Sequence, residues 1–205
     1  MTSLWTEKYS AKSQAGLTAY AALLRKWNPA INLVSPKTLD QIEDRHLRDS
    51  AQVFEVLPED AQHLVDFGSG GGLPALVLAI LADGESRALK TTMIESDKRK
   101  SAFLRTVALE LGLTNAHVIA DRVENVPNQG ADIITARALA PLSQLLDYAA
   151  IHATLETRCF FLKGKQYRAE IDQAAQDHRF SYTVHPSITE RGAALLEIGD
   201  VYHGA

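Results

Sequence analysis

The densest chemistry in the chain lies in seven residues, Asp66-Phe67-Gly68-Ser69-Gly70-Gly71-Gly72. They close a short apolar run that begins at Leu64 and lead through Leu73-Pro74 into an apolar stretch ending at Ala82. Glycines placed after a strand let the backbone turn tightly and let a ligand approach with no Cβ in its way. The spacing here is G-x-G-x-G. A dinucleotide fingerprint wants a small residue where Leu73 stands, and a P-loop wants a lysine and a hydroxyl behind its last glycine. Neither pattern is met. Asp66 would sit badly against a pyrophosphate. It suits a cationic ligand such as an α-amino group, or it orders the loop by accepting backbone N–H bonds. Glu95 ends the next β-rich run, Thr91-Thr92-Met93-Ile94. A carboxylate there can accept from both hydroxyls of a ribose; the alternative is an exposed strand-end acid. Asp97 is better placed to cap the helix that follows.

These features together describe S-adenosylmethionine held in a class I methyltransferase fold. The cofactor contacts expected on that reading are Asp66, Gly68, Ser69, Gly70, Gly72, Leu73 and Glu95. The turn Asp121-Arg122-Val123-Glu124 follows the third strand, where such folds hold adenine. There the backbone of Val123 and Glu124 can read the adenine edge, and the Val123 side chain can pack on the ring.

The elements that must position these residues are legible as alternation. Apolar or β-rich runs at 64–67, 91–94, 117–120, 131–135 and 159–162 alternate with helical stretches at 73–82, 97–111, 141–153 and 167–178. This predicts a mostly parallel, Rossmann-like α/β sheet covered on both faces. Two further β-like segments, 180–185 and 194–202, have no helix between them, so they predict a hairpin and one antiparallel strand among seven. Residues 1–60 read as a helical extension to a methyltransferase domain at 61–205, the two forming a single compact unit. Leu17, Tyr20, Leu24 and Trp27 form one apolar stripe of a helix that Asn28-Pro29 should end, because a residue before proline avoids the α region. A second helix is expected from Leu39 to Val56, capped by the turn Ser35-Pro36-Lys37-Thr38.

At this point the chain resembles the ribosomal RNA small-subunit methyltransferase G family, also called the glucose-inhibited division protein B family. The likeness runs over nearly the whole chain. Its specific parts are Lys26-Trp27-Asn28 with Ile31-Asn32-Leu33-Val34-Ser35, then Arg45-His46-Leu47-Arg48-Asp49-Ser50, and Ala136-Arg137-Ala138-Leu139-Ala140-Pro141-Leu142. Glu95-Ser96-Asp97-Lys98-Arg99-Lys100, Leu162-Lys163-Gly164 and His185-Pro186-Ser187 support it. Ala75 departs from the pattern, where many members have glycine. The resemblance implies a bacterial cytoplasmic enzyme that methylates N7 of one guanine in 16S rRNA, with S-adenosylmethionine as donor. Carried over, the cofactor contacts are Gly68, Leu73, Val123, Glu124 and Arg137, with Glu95 at the ribose.

Guanine N7 has its own lone pair, so the reading needs no general base and names no catalytic residue. Arg137, at the carboxyl edge of the sheet, could touch the cofactor, clamp RNA phosphate, stack on the target base, or make a structural ion pair. Lys163 ends the fifth strand at the same edge and is a further RNA candidate, beside Arg25, Lys26, Arg45, His46 and Arg48 of the N-terminal helices. His46, Asp49 and Ser50 fall on one helical face and should line the mouth of the site. No partner histidine stands at a ligand spacing from His46, so no metal is expected. The lone cysteine, Cys159, rules out an internal disulfide and, within Cys159-Phe160-Phe161-Leu162, reads as a buried hydrophobe.

The composition bounds the rest. Lys and Arg total 21 against 25 Asp and Glu, so a sequence-blind hold on nucleic acid by the whole surface is disfavoured and any basic face must be local. No apolar run is long enough to span a membrane. Nothing in the sequence requires more than a monomer. Two other readings stay open: a cofactor-binding but non-catalytic ribosome assembly factor, and a methyltransferase for a protein or small molecule. Exocyclic-amine targets are disfavoured, since the place after the fourth strand lacks the asparagine and tyrosine such enzymes often carry.

Overall fold

The computed structural model describes residues 4–203. Seven strands form one sheet in the order β3-β2-β1-β4-β5-β7-β6. They are β1 (His63–Phe67), β2 (Lys90–Ile94), β3 (Ala116–Ile119), β4 (Ala131–Arg137), β5 (Ala153–Lys163), β6 (His178–Pro186) and β7 (Ala194–His203). Only β7 runs against its neighbours, pairing antiparallel with both β5 and β6. The strand order reverses between β1 and β4, and the carboxyl ends of those two strands are where open α/β sheets take their ligands.

Helices cover both faces. α1 (Ala11–Ile31), α3 (Ala75–Gly84) and α4 (Lys98–Glu110) lie on one side; α5 (Leu142–His152) and α6 (Tyr167–Ala174) share the other core. All eight residues from Ala75 to Ala82 are buried. A helix that is apolar all round needs cover on every side, and the N-terminal helix supplies it. Tyr20 and Leu24 of α1 enter the same core as Leu76 and Ile80 of α3, Met93 of β2 and Phe103 of α4.

Three sequence expectations are corrected. Asn28-Pro29 does not end the first helix, which continues through Pro29 to Ile31. Pro29 falls in the last turn, and the helix closes instead on Asn32 in the left-handed conformation, whose N–H reaches the Asn28 carbonyl. The buried Asn28 side chain accepts from Val34 N–H at 2.8 Å and so folds the 32–35 segment back over the helix end. The second helix is not one helix. It is a 3₁₀ stretch (Pro36–Gln41), a π-turn (Ile42–Leu47) and α2 (Arg48–Phe54), with no side-chain cap from Ser35. β5 is far longer than the apolar run 159–162, because its first half, Ala153 to Arg158, is mostly polar and largely exposed.

Candidate functional site

The glycine loop connects β1 to α3 at the strand-order switch, and three elements hold it in shape. Glu95, just past β2, accepts from Gly70 N–H at 2.7 Å and from Asp97 N–H at 2.8 Å. Tyr20 of α1 donates its hydroxyl to the Gly71 carbonyl in a short hydrogen bond. Leu33 walls the far side, its carbonyl 3.2 Å from where a side chain on Gly71 would begin. Asp97 caps α4 through Arg99 and Lys100 N–H.

Asp66 lies one layer beneath the loop. It stands level with Thr135 across the β1–β4 pair, and the Thr135 hydroxyl donates to Oδ1 at 2.6 Å. The other oxygen, Oδ2, is buried with no partner among the described residues. Burial pushes the carboxyl up to about 7, against the opposing pull of the Ser69 and Thr135 hydroxyls and the Arg137 charge. A buried carboxylate oxygen without a donor is costly unless a ligand supplies one.

The same test can be put to the other expected cofactor residues. Gly70 has φ +55, and a side chain there would meet nothing nearer than the Gly68 carbonyl at 3.8 Å. The space above the loop is therefore open, as a cradle for a ligand requires. Glu95 spends one bond on each oxygen and keeps lone pairs for two hydroxyls. After β3, Val123 packs its side chain in the same core as Phe67 and Ile94. Its carbonyl accepts from Val126 N–H at 3.3 Å and the buried His152 ring at 3.0 Å, while the Glu124 backbone N–H is turned to its own carboxylate and lowers its pKa. Ser69 donates to the Asp66 carbonyl, and the buried Leu73 packs beneath the loop in the α1–α3 core. Unoccupied polar capacity, an open glycine cradle and a strand-end carboxylate together fit S-adenosylmethionine.

Beside the loop is a cleft of about 830 Å³. Its walls come from 33–35, the π-turn and α2, the end of β4 with the 138–141 loop, the end of β5, and the β6–β7 loop. Leu139 is the shared wall: it lines the cleft and also lies over Gly68. Ala138, at φ 53, makes the backbone turn that places it there.

The cations lining the cleft are paired with carboxylates that line it too. Lys163 is 2.5 Å from Glu170 and its side chain is only 8% exposed, so it is not a free strand-end cation. Arg45 lies 3.5 Å from Glu190, and Arg137 lies 3.5 Å from Asp49 and 3.2 Å from His46 Nδ1. His46 and Asp49 do line the mouth, as expected. Ser50 does not: it is buried and donates to the His46 carbonyl. The other basic candidates scatter. Arg25 is held by both oxygens of Glu43; Lys26 lies in a groove between α1 and α4; Arg48 lies in a third hollow beside Trp5 and Tyr9.

Sequence reasoning missed Thr135, Tyr20, Thr38, Leu139 and His152. Tyr20, Thr38, Thr135 and Leu139 all sat in segments already singled out, but as an apolar stripe, a capping turn, a strand and a family motif rather than as site residues. Tyr20, Thr135 and His152 act through partners 29 to 69 positions away, which spacing along the chain does not reveal.

Among the described residues no cluster of His, Cys, Asp and Glu could hold a metal, and no helix is long and apolar enough to cross a membrane. Comparison with known proteins gives a consistent picture. The family model described as rRNA small subunit methyltransferase G matches residues 13–197. The ribosomal RNA small subunit methyltransferase G of Dinoroseobacter shibae is 45% identical over 192 residues, spanning 94% of this chain and 98% of that protein. That of Paracoccus denitrificans is 44% identical, spanning 91% and 95%. Among solved structures, a SAM-dependent methyltransferase from Aquifex aeolicus superposes with a TM-score of 0.59 at 14% identity, over 87% of this chain and 97% of that one. The ribosomal protein L11 methylase of Lactobacillus delbrueckii gives 0.58 at 17%, over 74% and 76%. These structural likenesses establish the class I methyltransferase fold.

Proposed function

Because this chain belongs to the rRNA small subunit methyltransferase G family, we propose that it transfers a methyl group from S-adenosylmethionine to N7 of one guanine of 16S rRNA, within the small ribosomal subunit. The observation that carries the acceptor half of this reading is the charge pairing in the cleft, where Glu170 neutralises Lys163 at 2.5 Å and Arg45 and Arg137 face carboxylates at 3.5 Å. A pocket whose cations already have carboxylates is poorly suited to gripping a phosphate backbone, whose hold comes from unpaired Lys and Arg. It suits a flat, uncharged base with several hydrogen-bonding edges. Bound S-adenosylmethionine supplies a methyl group already activated by a positive sulfur.

The chain's own residues then have three tasks. Glu95, Gly70 and Asp66 hold the donor at the switch between β1 and β4. Leu139 covers Gly68 and keeps water from the junction between loop and cleft. The cleft walls must hold the guanine with N7 in line with the methyl group, about 3–3.5 Å from it. N7 attacks with its own lone pair, so no residue need remove a proton. The product base is cationic, and Asp49 or Glu190 can offset that charge. On this reading Arg137 faces the base within the cleft, backbone contacts come from the N-terminal basic residues outside it, and the chain works as a monomer in the cytoplasm.

The test uses labelled S-adenosylmethionine, purified protein and small subunits from cells lacking the gene. Digestion of the 16S rRNA and mass spectrometry should find N7-methylguanosine at one position. Gly70→Asp should abolish it, because the side chain fills the donor cradle; at φ +55 the change also strains the loop by about 1–2 kcal/mol, so a thermal melt is run beside it to check that the variant is folded. If the protein binds donor and labels no RNA, the acceptor reading fails and a protein or small-molecule acceptor takes its place.

A further inference from the structure

The Arg137 guanidinium is oriented by an unusual partner. Both of its terminal nitrogens lie 3.2 Å from His46 Nδ1. A guanidinium can only donate, so Nδ1 must be bare and accept. The ring proton is therefore on Nε2, which lies 2.7 Å from the Thr38 hydroxyl. Thr38 in turn donates to the Ser35 carbonyl at 2.9 Å. Every bond in the series Arg137, His46, Thr38, Ser35 then has a single direction. Burial, with the charges of Arg137 and Arg45, holds the ring's pKa near 4, so it is neutral at physiological pH.

A neutral imidazole does something a carboxylate would not: it aims the guanidinium and leaves its charge intact. The nearby carboxylate, Asp49, is long at 3.5 Å and also accepts from Thr189 at 2.7 Å and Gln52 at 2.8 Å. Lys163, by contrast, is neutralised at 2.5 Å.

We propose that His46 is a positioning residue: as the Nε2–H imidazole it aims the Arg137 cation into the cleft, and Thr38 fixes the tautomer that lets it do so. This rests on the cleft being the seat of the acceptor base.

Two measurements test it, one independent of turnover. In the ligand-free protein, imidazole ¹⁵N spectra should show His46 bare at Nδ1 and protonated at Nε2 across pH 5.5–8. A ring protonated at Nδ1, or one titrating near its ordinary ~6.5, overturns the proposal whatever the activity. In methyl transfer to unmodified small subunits, His46→Ala should lower kcat roughly 10- to 100-fold, the scale of a misplaced positioning group. The KM for S-adenosylmethionine and the melting temperature should hold. His46→Asn, whose amide oxygen falls near the place of Nδ1, should restore most of the rate, and Thr38→Val should fall between. Equal rates in all four proteins would overturn the proposal. So would a joint loss of melting temperature and donor affinity that asparagine does not rescue, which marks a merely structural ring. If His46→Ala does not fold, His46→Asn and Thr38→Val carry the comparison. If the wild type itself labels no subunit, the acceptor reading fails and the spectra alone decide the positioning role.

Discussion

Donor binding should expel a proton from Asp66. The carboxyl is 1% exposed, has one oxygen without a partner, and is pushed up to about 7 by burial. An ammonium docked against it would favour the charged form and return the pKa toward or below its ordinary ~3.9. At pH 6 an α-amino group, ordinarily near 7.7–8.0, arrives already protonated. About nine-tenths of Asp66 then also carries a proton, so binding should release about 0.9 proton at pH 6. Isothermal titration calorimetry with S-adenosylmethionine in buffers of different ionisation enthalpy reads that number as a slope. Asp66→Asn should bind with a slope near zero. A wild-type slope of zero at pH 6 would refute the reasoning, because it would mean that no proton leaves the site. The same group sets a trend in ligand-free stability. Between about 4 and about 7 the folded chain holds a proton that the unfolded chain has lost, so stability falls as pH rises through that window and levels off above it. A shift of about three units bounds the effect at roughly 4 kcal/mol, and Asp66→Asn should flatten it.

Two further outcomes follow from the packing. Lys163→Met removes a nearly buried ammonium from Glu170, which keeps its bond from Leu142 N–H; stability should drop by about 1–3 kcal/mol in thermal melts. The salt dependence of RNA binding should not change, and a slope smaller by about 0.7 would instead make Lys163 a phosphate ligand. Gly84→Ala would put a Cβ 2.0 Å from the Ser13 hydroxyl and 2.8 Å from its backbone nitrogen. Forcing α1 off α3 should cost about 1–3 kcal/mol, seen as a lower denaturation midpoint at constant slope; an unchanged midpoint would show that the two helices pack more loosely than described.

The strands that build the site were legible because each is a short run of apolar or β-branched residues between turn residues, and the glycine loop because few other roles need that spacing. Asp66 and Glu95 could be placed by their distance from the glycines. What could not be read was anything set by packing between distant segments. The bond between His46 and Arg137 spans 91 positions, and Thr135 meets Asp66 only through strand register. The basic residues Arg25, Lys26, Arg45 and Arg48 look like one cluster along the chain. Helix geometry and carboxylate partners from other segments divide them among separate surfaces. Pro29 misled because proline in a final turn loses one hydrogen bond that water can replace, while the buried Asn28 and the left-handed Asn32 still close the helix one turn later.

The docking of α1 onto α3 has a consequence for how the chain comes into being. α1 is synthesised before α3, and its apolar stripe lacks that helix to rest on until α3 has been made. Ser13 and Gly84 are in contact, and Ser13 donates to Glu85 at a separation of 72 positions. During that interval a nascent chain carries Leu17, Tyr20 and Leu24 uncovered, the kind of surface that invites association with other apolar segments. The loop that must close to bury them is long, so its closure is paced by the formation of β1 and the glycine turn, which bring α3 into reach. The ligand cradle that Tyr20 braces is therefore complete only once α1 has docked on α3.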